Sequence, residues 1–194
     1  IRISDLSVFY DGAPALENVN ISFYTDDFVG IIGPNGGGKS TLVKAILGLV
    51  PCSGDICIAP EVVKGGIGYM PQQHLFDKEF PISVEELVLS GLQRGKGIFS
   101  RYTEDNKCKV KATLKELGVD NLAHKTVGEL SGGQLQRALL GRAIISEPKL
   151  LILDEPANFV DNRFEGELYA LLAELNKRMA IIMVSHDVGT ITTV

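Results

Sequence analysis

Phe28-Val29-Gly30-Ile31-Ile32-Gly33-Pro34-Asn35-Gly36-Gly37-Gly38-Lys39-Ser40 is the segment from which the fold is read. A continuous apolar run, FVGII, passes straight into GPNGGGKS, which matches G-x-x-x-x-G-K-[ST]. A helical stripe, Leu42, Ile46 and Leu49, follows at i, i+4, i+7. The order strand, glycine-rich loop, helix has a physical meaning. Glycines let successive backbone N–H groups curl around phosphate oxygens, and the helix N-terminus adds partial positive charge. Gly33 to Gly38 therefore form a phosphate cradle. Lys39 is expected on the β- and γ-phosphates, the Ser40 hydroxyl on Mg²⁺ and the Thr41 hydroxyl on the α-phosphate. The loop by itself leaves kinases, GTPases and many ATPases open.

Outward from the loop, Leu150–Leu153 and Ala180–Val184 repeat the continuous apolar pattern of buried parallel strands, with helices expected over both sheet faces. Helical stripes lie between them: Val110, Leu114, Leu117; Leu135, Leu139; and Phe164, Leu168, Leu171, Leu172, Leu175. This succession specifies an α/β fold with a mainly parallel sheet and right-handed crossovers. Ile1–Val8 and Val19–Phe23 alternate around Asp11-Gly12-Ala13-Pro14, as antiparallel strands about a turn would. Residues of about 73–145 are mostly helical. They read as a helical subdomain inserted in a single domain whose core is 1–72 and 146–194.

The strand Leu150–Leu153 ends in Asp154-Glu155. A buried strand would carry Asp154 to the carboxyl edge of the sheet beside the phosphate loop, where it can hold Mg²⁺. Glu155, one residue further, is the candidate to polarise an attacking water. Leu130-Ser131-Gly132-Gly133-Gln134, followed by Gln136-Arg137 and a helix, forms a second phosphate-binding nest at a helix N-terminus.

The 194 residues are 45% hydrophobic and 22% charged, enough for a sizeable core. A formal charge of −5 argues against a broad basic face for nucleic acid. No apolar run approaches the roughly 20 residues of a membrane helix. Cys52, Cys57 and Cys108 make neither a CxxC pair nor an even framework, and read as reduced thiols. The abrupt start at Ile1 and end at Val194 read as limits of a fragment.

With the phosphate loop, LSGGQ and the Asp154-Glu155 strand end together, the whole chain resembles the nucleotide-binding domain of ABC ATPases. The resemblance implies a RecA-like P-loop NTPase core, an antiparallel β-subdomain and a helical subdomain. It implies ATP and Mg²⁺ as cofactors and a head-to-tail homodimer in which Ser131, Gly132, Gly133 and Gln134 complete the ATP site of the opposite subunit. It places Tyr10 on the adenine, with Phe9 as rival, and makes Gln72 a sensor of Mg²⁺ and water. Asp161 falls in the loop that communicates across the dimer, and His186 is a switch on the γ-phosphate. Ser40, Gln72 and Asp154 are then the metal set, and Glu155, His186 and Gln72 the catalytic one. Gly37, where serine or alanine is commoner, and Asn158-Phe159-Val160 before Asp161 depart from the family pattern.

Phe80–Leu92 and Gly68–Gln72 are similar to ATPase subunits of bacterial zinc, manganese and iron importers. That likeness implies integral-membrane partner subunits, no direct nucleic-acid contact, and a cytoplasmic position peripheral to the inner face of the membrane. Another importer or exporter, or a soluble family member, stays open. A binding module without turnover is opposed by Glu155 and His186.

Overall fold

The structure is a computed structural model that describes residues 1–72, 79–93, 102–157 and 162–186, with side chains for all of these except 162–164. The chain starts with a hairpin, β1 (Arg2–Tyr10) and β2 (Ala13–Ser22). Asp11 and Gly12 turn it with φ of 50° and 81°, the left-handed pair that a tight two-residue connection requires. The expected turn over 11–14 is thus shorter. Pro14 lies inside β2, opposite Phe9, which is tolerated because β2 is an edge strand. A third strand, β4 (Ser53–Cys57), joins the other side of β1. Its sequence, SGDIC, has one isolated large aliphatic residue, so alternation could not reveal it.

The second sheet is wholly parallel, ordered β3 (Phe28–Ile32), β7 (Ala180–Ser185), β6 (Leu150–Asp154), β5 (Ile67–Met70). Successive residues of a strand face opposite sides, and the two cores divide accordingly. Leu151, Leu153, Ile181 and Met183 enter one cluster with α3 (Val84–Ser90), α4 (Glu104–Glu116), α5 (Gly132–Ile144) and α6 (Asn162–Asn176). Leu150, Ile152, Ala180, Ile182 and Val184 enter the other, with α1 (Lys39–Ile46), Val62 of the short α2 (Pro60–Gly65) and the antiparallel sheet. Helices were expected over both faces. On this second face α1 contacts β6, and the three-stranded sheet joins the same cluster through its inward residues Ile3, Leu6 and Val8.

Helix α1 stops earlier than its apolar stripe suggests. Gly48, at φ 68°, donates its N–H to Ala45 O, and Leu49 donates to Lys44 O, a Schellman termination. Leu49 is left 63% exposed rather than on the buried face. The stripes of α4 and α5 are borne out: Val110, Leu114, Leu117, Leu135 and Leu139 are all buried. So are Leu168, Leu172 and Leu175 of α6.

α5 reaches the sheet at Gly68 of β5, where a Cβ would lie 2.4 Å from the Ala143 carbonyl oxygen. That clash is with backbone, which a rotamer change cannot relieve. Gly68→Ala should therefore destabilise the fold by about 1–3 kcal/mol through overpacking. Urea denaturation checks this, and an unchanged midpoint counts against the close approach.

Candidate active site

Register decides what meets at the sheet edge. Ile32 of β3 pairs with Ser185 of β7, and Val184 of β7 pairs with Asp154 of β6. The residues just beyond these ends, Gly33, His186 and Glu155, emerge side by side at the carboxyl edge. Glu155 extends the pairing by one bond, its N–H donating to Val184 O at 2.9 Å. It does so in left-handed backbone, φ 53°, which is strained for a side chain with a Cβ.

The phosphate loop curls at this edge. Gly36 and Gly38 adopt φ of 81° and 84°. At Gly38 the demand is double, since a Cβ would stand 2.6 Å from Ala15 O and 2.7 Å from Leu16 Cδ2. Gly37 needs no left-handed conformation, but a Cβ there would lie 3.0 Å from Pro34 O, whose carbonyl accepts the Gly37 N–H. Gly38 caps α1 with no side-chain acceptor, so the first N–H groups of the helix point outward. Lys39 is buried, and its ammonium donates to Gly33 O (2.8 Å) and Pro34 O (2.9 Å). Two of its three donors are thereby committed, and one is left for an anion.

Asp154 follows from strand parity. It continues the series Leu150, Ile152 and so points toward α1, where the Ser40 hydroxyl donates to its Oδ1 at 3.2 Å. Only 2% of Asp154 is exposed. Burial pushes its carboxyl above the usual range, opposed by the Ser40 bond and reinforced by Glu155, while Lys44 and Lys39 pull the other way. Sequence reasoning missed Lys44, although it stands four residues beyond Ser40 on the same helix face. Tyr69 was also missed. Burial, then the charge of Asp154, pushes its phenol up to about 12.

A cleft of about 480 Å³ opens here, lined by Tyr10, Ala15, Asn35, Gly36, Gly38, Lys39, Ser40, Thr41, Gln72 and Glu155. Tyr10, not Phe9, faces it. Glu155 is nearly covered at its side chain (11% exposed), with His186 Nδ1 4.0 Å from its Oε1 and half open to solvent. Ser131, Gly132, Gly133 and Gln134 are not part of this cleft. Ser131 is exposed and caps α5: Gln134 N–H donates to Ser131 Oγ at 3.4 Å, and Ser131 N–H donates to Gln134 Oε1 at 3.1 Å. Asp161 lies outside the described residues.

A parallel sheet with a glycine-rich loop and buried lysine at its carboxyl edge, and an acid–hydroxyl pair beside it, defines a P-loop nucleotide hydrolase. The family model described as ABC transporter matches residues 16–158, and the chain belongs to that family. Within it the chain is an ATPase of the ATP-binding-subunit kind. It is 40% identical over 204 residues to the zinc uptake system ATP-binding protein of Listeria innocua, covering all of this chain and 79% of the relative. It is 37% identical over 195 residues to the manganese transport system ATP-binding protein of Halalkalibacterium halodurans, covering 98% of this chain and 78% of the relative. Among solved structures, an ABC transporter of metal-chelate type in an inward-facing conformation superposes with a TM-score of 0.88 at 30% identity, covering 98% of this chain and 74% of that one.

The raised carboxyl of Asp154 has a consequence for stability. With its folded pKa above the ordinary 3.8, the folded state binds more protons, so stability falls as pH rises through that window. Asp154→Asn keeps an acceptor for Ser40 and removes the buried charge. In chelator, the variant should melt higher than the parent at pH 7, with the gap closing as pH falls toward 3.8. An equal or lower melting temperature at pH 7 counts against the buried-charge assignment.

Proposed function

We propose that this chain is the ATPase subunit of an importer of a divalent transition metal, zinc or manganese, hydrolysing ATP in the cleft at the carboxyl edge. The observation that carries the ATPase part is the convergence of Lys39, the Ser40–Asp154 pair, Gln72 and Glu155 on one cleft. The metal part rests on the zinc and manganese relatives.

In this reading Gly33 to Gly38 wrap the phosphates, Lys39 turns its remaining donor to them, and Thr41 contacts the α-phosphate. Tyr10 stacks on the base. Glu155 orients and polarises the attacking water, and His186 holds the γ-phosphate, so catalysis is positioning and electrostatic stabilisation. Mg²⁺ suits the donor set: Ser40 and Asp154 offer hard oxygens, and a cation relieves the buried carboxylate. When bound it supplies charge neutralisation at the phosphates, with Gln72 alongside. Among the described residues there is no cluster of three His, Cys, Asp or Glu, as fits an ion completed by phosphate and water.

Ser131, exposed, and the half-buried Gly132 to Gln134, all away from the cleft, would serve the ATP of a second copy, with Asp161 in the contact between copies. The helical subdomain 73–145, set on the core 1–72 and 146–194, is the part that carries them. No helix among the described residues is long and apolar enough to cross a membrane. Association with the cytoplasmic face then runs through membrane subunits docked near α3.

Glu155→Gln should bind ATP as the parent does while turnover drops about 10²- to 10⁴-fold, the range for losing a positioned base; equilibrium binding and phosphate release measure the two. Undiminished turnover removes Glu155 from the role. The docking surface is tested at Glu85, whose side chain is 42% exposed and 3.3 Å from His124. Glu86 is a poorer probe. Its carboxylate accepts from the Ser83 N–H (2.9 Å) and hydroxyl (2.7 Å), so reversal there also removes the α3 cap. Glu85→Lys should reduce co-purification of a multi-span membrane chain from solubilised membranes and leave ATP affinity unchanged; equal recovery counts against docking there.

A further inference from the structure

We infer that Glu129 is a positioning residue for Ser131, fixing the signature serine relative to the start of α3. The inference rests on the reading of Ser131 as a ligand of the second copy's ATP.

Residues 123–127 are fastened to the entry of α3 by backbone. Val84 N–H donates to Lys125 O, Glu85 N–H to Ala123 O and Val127 N–H to Ile82 O, each at 3.0 Å. Ser83 and Thr126 form an antiparallel bridge between the same two segments. The first two N–H groups of a helix ordinarily find water or a side chain. Here they take the carbonyls of a segment that reaches Ser131 within a few residues. Any displacement of the start of α3 is passed to Thr126.

From Thr126 to Ser131 the chain has little freedom. Val127–Glu129 is a 3-10 turn, and Leu130 N–H donates to Val127 O at 3.3 Å. Val127 and Leu130 are buried. The turn is closed by Glu129, whose Oε2 accepts from the Thr126 N–H at 2.8 Å and hydroxyl at 2.7 Å. Those bonds hold its carboxyl below the usual carboxylate range. Ser131 follows at once, its Oγ accepting from Gln134 N–H. Its hydroxyl proton is engaged in no bond among the described residues and can be given to a phosphate oxygen.

Glu129 itself is exposed and belongs to neither core. Its removal should loosen the turn without emptying a packed site. Aimed donors lose effect steeply when they are misplaced by even an ångström.

The test uses the full-length protein, with ATP affinity, ATP-dependent self-association, turnover and melting temperature measured for Glu129→Ala, Glu129→Gln and Ser131→Ala. Expected for Glu129→Ala is unchanged single-chain ATP affinity, weaker ATP-dependent self-association and turnover lower by about tenfold or more. Glu129→Gln, whose amide oxygen still accepts from Thr126, should recover most of the loss. Parent-like turnover and association in Glu129→Ala, with Ser131→Ala impaired, overturns the positioning role alone. Parent-like behaviour of Ser131→Ala overturns the reading of the signature, and this inference with it. A Glu129→Ala variant that loses ATP affinity and melting temperature together, unrescued by glutamine, marks a structural role and also overturns the inference.

Discussion

Parallel pairing of β3, β7 and β6 sets where everything else in the site can be. A parallel ladder gives neighbouring strands the same direction, so three chain segments from distant parts of the sequence leave the sheet at one edge. The register Ile32–Ser185 and Val184–Asp154 is therefore a statement about chemistry as much as packing. A slip of one residue in β6 would turn Asp154 to the side of α3–α6, away from Ser40, and move Leu151 and Leu153 out of their cluster. Because both faces of β6 are buried, such a slip is penalised twice. The apolar faces thus hold the acid in place.

The edge concentrates buried charge. Lys39 and Asp154 are both nearly inaccessible, yet among the described residues each is held by other groups and not by a direct ion pair. Lys39 is satisfied by loop carbonyls and Asp154 by one hydroxyl. Neither arrangement uses the full capacity of the group, which leaves both able to respond to a polyanion and its counter-cation. The strained backbone at Glu155 belongs to the same pattern, with local stability given up where the chain presents a carboxylate to the cleft.

Much of this was legible in the residues. Strands with continuous apolar runs, the hairpin, the phosphate loop and the stripes of α4, α5 and α6 were all recoverable, because burial on two faces or one stripe leaves a periodic trace. What was not legible had no such trace. β4 is an edge strand of mostly small and polar residues, and β5 is only four residues long. Leu49 extended a stripe that Gly48 had already ended, where turn chemistry overrides periodicity. That the antiparallel sheet joins α1 in one core cluster could not be read either, since which surface packs on which is a tertiary matter. In the site, the loop, Asp154, Glu155 and Tyr10 came from sequence, and it is Tyr10 rather than its rival Phe9 that lines the cleft.

The position of β3 at the edge of its sheet also bears on how the molecule is made. Among the described residues its one hydrogen-bonded neighbour is β7, and Phe28 pairs with Ile181, across most of the chain. During synthesis the β1–β2 hairpin can close early, since its partners are adjacent in sequence, whereas β3 must wait until β7 has emerged. Of the segments that meet at this edge, the glycine-rich loop is thus the first to be translated and waits longest to be anchored. Until then FVGII is a short apolar strand with two unpaired edges, and a chain stalled before β7 exposes it to other chains.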